Sequence, residues 1–93
     1  MGEEAMNFMH GREHLQAGDS VIVDCDTQCN VCVMTDTEFA NYRSGRNFRH
    51  LGGRYERFPI RITVPTSGYW NTTLDLGGAS ANIRYSITYT KQT

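Results

Sequence analysis

Three cysteines within one short segment are the first side chains in this sequence whose spacing suggests a chemistry. Cys25, Cys29 and Cys32 form the pattern C-x3-C-x2-C, which suits the thiolate ligands of a four-iron cluster. The chain has 93 residues, too few for the α/β barrel that encloses such a cluster in radical enzymes. If Cys29 and Cys32 lie in one strand, their side chains point to opposite faces. We therefore expect free thiols, and the alternative is a zinc site in which His14 or His10 joins the three thiolates.

Carboxylates and histidines are weaker candidates for a chemical site. Asp24 and Asp26 share a face of a strand, as in some calcium sites, but no dense acidic loop supplies the remaining oxygens that calcium needs. Three histidines could activate a serine or cysteine, yet none lies in a recognisable nucleophile motif; they are His10, His14 and His50. The residues thus predict no catalytic centre and no cofactor, so we expect a protein that is not an enzyme. The alternative is a small metal-binding protein or enzyme that uses Cys25, Cys29 and Cys32 with a histidine.

The charged residues are segregated along the chain, although the formal net charge is only −1. Residues 1–38 contain eight acidic residues and one arginine, for a net charge of −7. Residues 43–61 contain six arginines and one glutamate, for a net charge of +5; the arginines are Arg43, Arg46, Arg49, Arg54, Arg57 and Arg61. In a small sandwich the two segments can be neighbouring strands that neutralise each other, and this is what we expect. The alternative is an exposed surface that binds anions.

If the arginines are exposed, they are the best candidate for a binding surface. We predict a basic face around Gly52-Gly53 with aromatic rings between the arginines, formed by Arg43, Arg46, Arg49, Arg54, Arg57, Tyr42, Tyr55 and Phe48. Guanidinium groups bind carboxylates and phosphates through two hydrogen bonds at once. Because the net charge is slightly negative, we favour an acidic protein surface, or a second copy of this chain, as the partner. Binding of a nucleotide or nucleic acid is a further alternative.

The elements that position these side chains follow from alternation of apolar and polar residues. Ile60 to Val64 and Ile83 to Tyr89 alternate with period two, as half-buried strands do. Turns rich in proline and glycine separate seven or eight such short strands. The pattern predicts an all-β, jelly-roll-like antiparallel β-sandwich. We expect one domain over residues 1–93, with residues 1–5 as a flexible N-terminus.

One helix and one hairpin are expected between the strands. Thr35-x-x-Glu38 matches a capping box and Gly45 stands where a helix would stop, which predicts a helix near residues 37–44. Gly52-Gly53 predicts a reversal between strands at residues 47–51 and 54–58. The arginine-rich segment would then be a hairpin.

The alternation also predicts which side chains are buried. We expect Trp70 at the centre of the core, with its indole N–H bonded to Asn71 or Asp75. The other predicted core residues are Val21, Val23, Val31, Val33, Ile60, Ile62, Val64, Leu74, Leu76, Ile83, Tyr85 and Ile87. The alternative for the aromatic residues is a platform on which a ligand stacks, formed by Phe39, Tyr42, Trp70 and Tyr85.

Composition sets an expectation for location. No apolar run approaches the roughly 18 residues that a membrane span needs. Residues 1–6 are acidic where a secretion signal would be basic and then apolar. An odd number of cysteines fits a reducing compartment. We therefore expect a cytoplasmic protein that does not contact a membrane.

Several short motifs taken together resemble a small bacterial family known as a domain of unknown function. Trp70-Asn71 and Asp75-Leu76-Gly77-Gly78 form a fairly specific combination; the other motifs are Cys29-Asn30-Val31, Asp36-x-x-Phe39-x-x-Tyr42-x-x-Gly45-Arg46, Gly52-Gly53, Pro59, Val64-Pro65, Gly68-Tyr69 and Ile83-Arg84-x-Ser86. The resemblance covers residues 14–89. It implies a stand-alone β-sandwich protein, fused in some members to a Toll/interleukin-1 receptor (TIR) domain, with an accessory or recognition role. It implies no catalytic residue.

Overall fold

The computed structural model describes residues 8–76 and 83–91, and the segment predicted as a flexible N-terminus and Gly77-Gly78 of the family motif lie outside them. In the described chain seven strands and one helix follow one another. They are β1 (Phe8–Leu15), β2 (Ser20–Cys25), β3 (Cys29–Thr35), α1 (Asp36–Arg43), β4 (Leu51–Tyr55), β5 (Ile60–Thr63), β6 (Gly68–Asp75) and β7 (Tyr85–Thr90).

The strands form two antiparallel sheets. Sheet A has the order β1-β6-β3-β4, and sheet B has the order β5-β2-β7. Alternation turns one face of each sheet towards the other, and fully buried side chains from both sheets meet there. Val21 and Val23 come from sheet B, and Val31 and Val33 come from sheet A. The predicted all-β sandwich is therefore confirmed.

Helix α1 has the N-cap and the C-terminal stop that its sequence predicts, and each of its bounds lies one residue before the predicted range 37–44. The Thr35 side chain accepts a hydrogen bond from the Glu38 backbone N–H at 3.3 Å. At the other end Gly45 has a φ of 76°, and two backbone bonds, from Gly45 N–H to Tyr42 O and from Arg46 N–H to the carbonyl of residue 41, form a Schellman motif. No helix in residues 8–76 and 83–91 has the length and apolar character that crossing a membrane requires.

The predicted hairpin at Gly52-Gly53 is wrong. β4 runs straight through both glycines and pairs with β3, so that Leu51 lies opposite Val33. The chain reverses earlier, through α1 and the loop at residues 44–50. Gly52 has a φ of 96°, and a side chain on it would collide with the Val31 carbonyl oxygen. A glycine at position 52 therefore allows the backbone of β4 to approach that of β3 closely. β4 is an edge strand of sheet A.

The core largely follows the predicted alternation. Eight of the predicted residues are buried: Val21, Val23, Val31, Val33, Ile62, Val64, Trp70 and Leu74. Ile60, Leu76, Ile83 and Ile87 are partly buried and pack against them. Tyr85 is 45% exposed, so its assignment to the core is wrong. It lies opposite Cys25 at the end of edge strand β7, where the core ends.

The partner of the Trp70 indole also differs from the expectation. Its N–H donates to the backbone carbonyl of Thr66 at 3.0 Å, so the predicted bonds to Asn71 or Asp75 are wrong. The reason is the alternation itself, since Asn71 and Asp75 point to the face of β6 opposite to Trp70. The residues from Trp70 to Leu74 are all buried, because α1 covers the outer face of sheet A. The outer face of sheet B carries exposed side chains such as Asp24 and Thr88.

Candidate binding surface at the basic edge

A network of polar side chains fastens α1 to the outer face of sheet A. His10 Nε2 donates to Asn71 Oδ1 at 2.8 Å, and Asn71 Nδ2 donates to Asp36 Oδ1 at 2.7 Å. Arg12 closes the network with two hydrogen bonds to the Asp36 carboxylate, at 3.1 and 2.8 Å. These contacts join β1, β6 and the first turn of α1. Since Asn71 is fully buried, the network has a structural role that the sequence did not reveal.

The Asp36 carboxylate is held in its charged form by this network. Hydrogen bonds from Arg12, and then from Asn71, lower the pKa of Asp36 from 3.8 to about 2. The Arg12 guanidinium also lies over the Tyr69 ring, 3.9 Å from its centroid. Both charged groups already have partners within the protein. They therefore hold the helix in position and do not form a free acid or base.

Six ring side chains make a continuous cluster from β1 across α1 to the loop before β4. This ring cluster consists of Phe8, His10, Phe39, Tyr42, Phe48 and His50. His10 stacks on Phe39 with centroids 4.3 Å apart, and Tyr42 meets Phe48 edge to face at 4.9 Å. Phe48 in turn contacts His50 at 5.3 Å. The cluster therefore anchors the loop at residues 44–50 to the helix.

The five predicted arginines lie in edge strand β4 of sheet A and in the segments just before and after it along the chain, and this set is here called the basic edge. Arg43 ends α1, Arg46 and Arg49 lie in the following loop, Arg54 lies in β4 and Arg57 follows it. All five are exposed. β4 bonds to β3 on one side only, so its other side faces away from the sheet. The Arg43 guanidinium lies 5.7 Å from the Phe39 ring centroid, at the border of the ring cluster.

The predicted aromatic members of this surface have other neighbours. Tyr42 belongs to the ring cluster, and burial raises the pKa of its hydroxyl. Tyr55 is partly buried, packs against the core and lies 6.3 Å from Phe58. Arg61 lies in β5 between two core-facing isoleucines, so it points outwards from sheet B. The basic edge is thus formed by arginines, with aromatic rings packed against the protein behind them.

Three acidic side chains of the N-terminal half, Asp36, Glu13 and Glu38, have partners other than the guanidinium groups of these arginines. Asp36 pairs with Arg12, and Glu13 lies 3.4 Å from Lys91. Glu38 accepts a bond from the backbone N–H of Arg49. Within residues 8–76 and 83–91, no arginine of the basic edge forms an ion pair with a carboxylate. The expected neutralisation of one segment by the other is therefore not observed there, because β4 pairs with β3, which contains no charged residue.

A cavity of about 230 Å³ opens beside the basic edge. Its apolar wall is formed by Val33, Leu51 and Trp70, which is only 6% exposed. Its polar lining consists of Thr35, Glu38, Arg49 and His50. The sequence predicts Arg49 as a binding residue but does not predict the cavity. Since the walls come from β3, α1, the following loop, β4 and β6, no local pattern could have indicated it.

The structure does not bring all three cysteines and His14 together, although Cys25 and Cys29 are neighbours. Cys25 and Cys29 belong to the core, whereas Cys32 lies on the outer face of sheet A. His14 packs against Tyr69 at 5.0 Å. Burial raises the pKa of Cys32, and burial together with the neighbouring Cys25 raises that of Cys29 to about 12, so these thiols stay protonated at neutral pH.

Asp24 and Asp26 line a polar cleft of about 360 Å³ at the end of sheet B. The Asp26 carboxylate accepts hydrogen bonds from the backbone N–H of Arg84 and from the Thr27 hydroxyl, both at 3.2 Å. In the described part of the chain, no three or more His, Cys, Asp or Glu side chains converge to hold a metal ion. Neither the zinc alternative nor the calcium pattern gains support from this geometry.

A protein-family model matches this chain over residues 6–93, and its description is a domain of unknown function, DUF1883. The match includes every residue of the basic edge and of the neighbouring cavity. No curated protein and no solved structure matches the chain. The comparisons therefore provide a family but no activity.

Proposed function

We propose that this chain, which belongs to the DUF1883 family, is a non-enzymatic binding module whose basic edge binds an acidic segment of a protein partner. The observation that carries the proposal is a row of five exposed arginines with no carboxylate partner in the described chain. Guanidinium groups match carboxylates in geometry as well as in charge. Complementary charge of this kind speeds encounter and selects the correct partner.

The loop that carries Arg46 and Arg49 is ordered by the protein itself. Phe48 packs on the ring cluster, and the Arg49 backbone N–H donates to Glu38 Oε1 at 2.8 Å. The Schellman motif at Gly45 fixes the start of the loop. A partner then loses little free energy in ordering this backbone, which favours binding.

An external acidic partner fits better than the alternatives. Several carboxylates that a second copy would offer, such as Asp36 and Glu13, already have partners. A nucleic-acid strand would find few free rings for its bases, since Tyr42 and Tyr55 are packed against the protein.

Arginines on an edge strand can also have a purely structural role, which is an alternative explanation for the basic edge. Charged side chains prevent the free edge of one sheet from pairing with another sheet. A glutamate at the same position would still provide a charge at the edge, whereas it would repel an acidic partner. Charge reversal therefore separates protection of the edge from recognition of a partner.

The test is titration of a labelled glutamate-rich peptide with the wild-type protein and the double variant Arg46→Glu, Arg54→Glu, followed by fluorescence anisotropy. Reversing two exposed charges should weaken binding by about tenfold or more. The control is Arg61→Glu, which makes the same kind of change on sheet B and should alter binding by less than about threefold. Binding should also weaken as salt screens the charges.

Three results would contradict the proposal. The first is equal weakening by Arg61→Glu, which would show a response to net charge alone. The second is a concentration-dependent dimer in sedimentation at low salt that the double variant abolishes, which would make a second copy the partner. The third is retention of the protein on immobilised single-stranded DNA at a salt concentration at which the peptide does not bind.

A further inference from the structure

We infer that the cavity beside Trp70 binds one apolar side chain of the size of leucine from that acidic segment, and so selects a partner by sequence. The inference rests on the proposed function, because the cavity adjoins the basic edge through Arg49. The partner is then an acidic segment that is interrupted by one apolar residue.

The size of the cavity favours a single side chain. Sites for small molecules and cofactors typically have volumes of about 300–1,000 Å³. The volume here is about 230 Å³, which is below that range. A nucleotide or a drug-sized ligand is therefore too large to be enclosed, whereas one aliphatic side chain fits.

The chemistry of the walls favours an apolar occupant. Val33, Leu51 and Trp70 present hydrocarbon surface, so an aliphatic side chain would leave water on entering. Glu38 also lines the cavity, and a carboxylate of the partner would be repelled there. Arg49 and His50 line it too, and Arg49 belongs to the basic edge that would bind the flanking acidic residues. We therefore expect a partner segment in which acidic residues stand on either side of one uncharged, apolar residue.

Trp70 provides a spectroscopic signal for occupancy of the cavity. It is the single tryptophan of the chain and is only 6% exposed, in the wall of the cavity. A side chain that enters would replace water next to the indole and change its emission. Binding of a peptide along Arg43, Arg46, Arg54 and Arg57, which do not line the cavity, would leave the indole environment as it is.

The experiment compares three acidic peptides that differ only at a central residue, which is leucine, alanine or aspartate. Anisotropy measures binding, and emission excited selectively at tryptophan measures occupancy. Burying the leucine side chain should tighten binding by about tenfold to a hundredfold relative to alanine. The leucine peptide should also shift the Trp70 emission, whereas the alanine and aspartate peptides should not.

Two variants test the position of the leucine. Leu51→Phe should fill the cavity and abolish the preference for leucine, while the alanine peptide binds as it does to the wild type. His50→Tyr narrows the cavity at an exposed position, and it serves the same purpose if Leu51→Phe does not give a native circular dichroism spectrum. A preference for leucine that persists in a folded variant would overturn the inference.

The outcomes also separate this inference from the proposed function. If all three peptides bind equally, in a manner that depends on the basic edge, the inference fails and the proposed function stands. If leucine is preferred without any change in Trp70 emission, the apolar contact lies elsewhere and the inference fails. If no peptide binds, the proposed function itself fails, and the inference fails with it.

Discussion

The two outer faces of the sandwich differ more than their strand patterns suggest. On sheet A, α1 and the ring cluster cover the strands, so that Asn71 and Thr73 are buried although both are polar. On sheet B the equivalent positions, such as Ser86 and Thr88, remain exposed. Alternation alone therefore determines which face of a strand a side chain points to, but not whether that face is covered. The sheet with the covered face is also the one whose edge strand carries part of the basic edge.

The largest expected difference is between two aromatic residues, one in each sheet. Trp70→Ala should lower the free energy of unfolding by about 3–5 kcal/mol, because it leaves a void in the core, and this can unfold a domain of this size. Tyr85→Ala should cost less than about 1 kcal/mol, because Tyr85 is 45% exposed. Urea denaturation followed by circular dichroism measures both. Near-native stability of Trp70→Ala would mean that sheet A has no tightly packed core at that position.

The next difference is between outer-face polar residues. Asn71→Ala should cost about 1–3 kcal/mol, because it removes the hydrogen bonds that a fully buried amide makes to His10 and Asp36. Thr88→Ala on sheet B should change stability by about 0.5 kcal/mol or less, since Thr88 is exposed. Thermal and urea unfolding of the two variants tests this. Equal effects would show that α1 does not depend on the network.

A smaller effect is expected from two buried hydroxyl groups. The Thr72 hydroxyl is buried in sheet A and has no hydrogen-bond partner among the described residues, so Thr72→Val should leave stability unchanged or raise it by up to about 1 kcal/mol. In sheet B the Ser20 hydroxyl lies 2.9 Å from that of Thr63. Ser20→Ala should therefore cost about 1 kcal/mol. Loss of stability in Thr72→Val would reveal a partner for its hydroxyl.

The smallest effect concerns acid stability. The pKa of Asp36 falls from 3.8 to about 2 on folding, so the unfolded chain binds its proton first as the pH decreases. The stabilisation by this carboxylate is complete above about pH 4 and is lost as the pH falls towards 2. Asp36→Asn should flatten the dependence of stability on pH in that window. The effect should be small, because about half of the side chain is exposed to solvent.

A second variant checks whether the contact with Arg12 causes the dependence of stability on acid pH. Arg12→Gln removes the main cause of the shift and should also flatten the acid part of the stability curve. Urea denaturation at a series of pH values between about 2 and 5 measures both variants against the wild type. If neither variant changes that slope, the contact between α1 and sheet A does not contribute to stability in acid.

Local patterns predicted most of the elements and their faces. The capping residue Thr35, the stop at Gly45 and the alternation in β2, β3 and β5 all correspond to the structure. These features depend on backbone dihedral angles and side-chain direction within a few residues, which the adjacent sequence sets. The basic edge was likewise recognisable as a run of arginines, and the structure shows them exposed.

Partners distant in sequence decided the rest. The Gly52-Gly53 dipeptide is compatible with a turn, but in the structure it pairs with β3, so β4 is a continuous strand. Tyr85 alternates correctly and still lies outside the core, because β7 ends the sheet there. The cavity beside Trp70 exists because separate elements meet around it. Pairing and coverage depend on contacts between remote residues, and only the tertiary structure contains them.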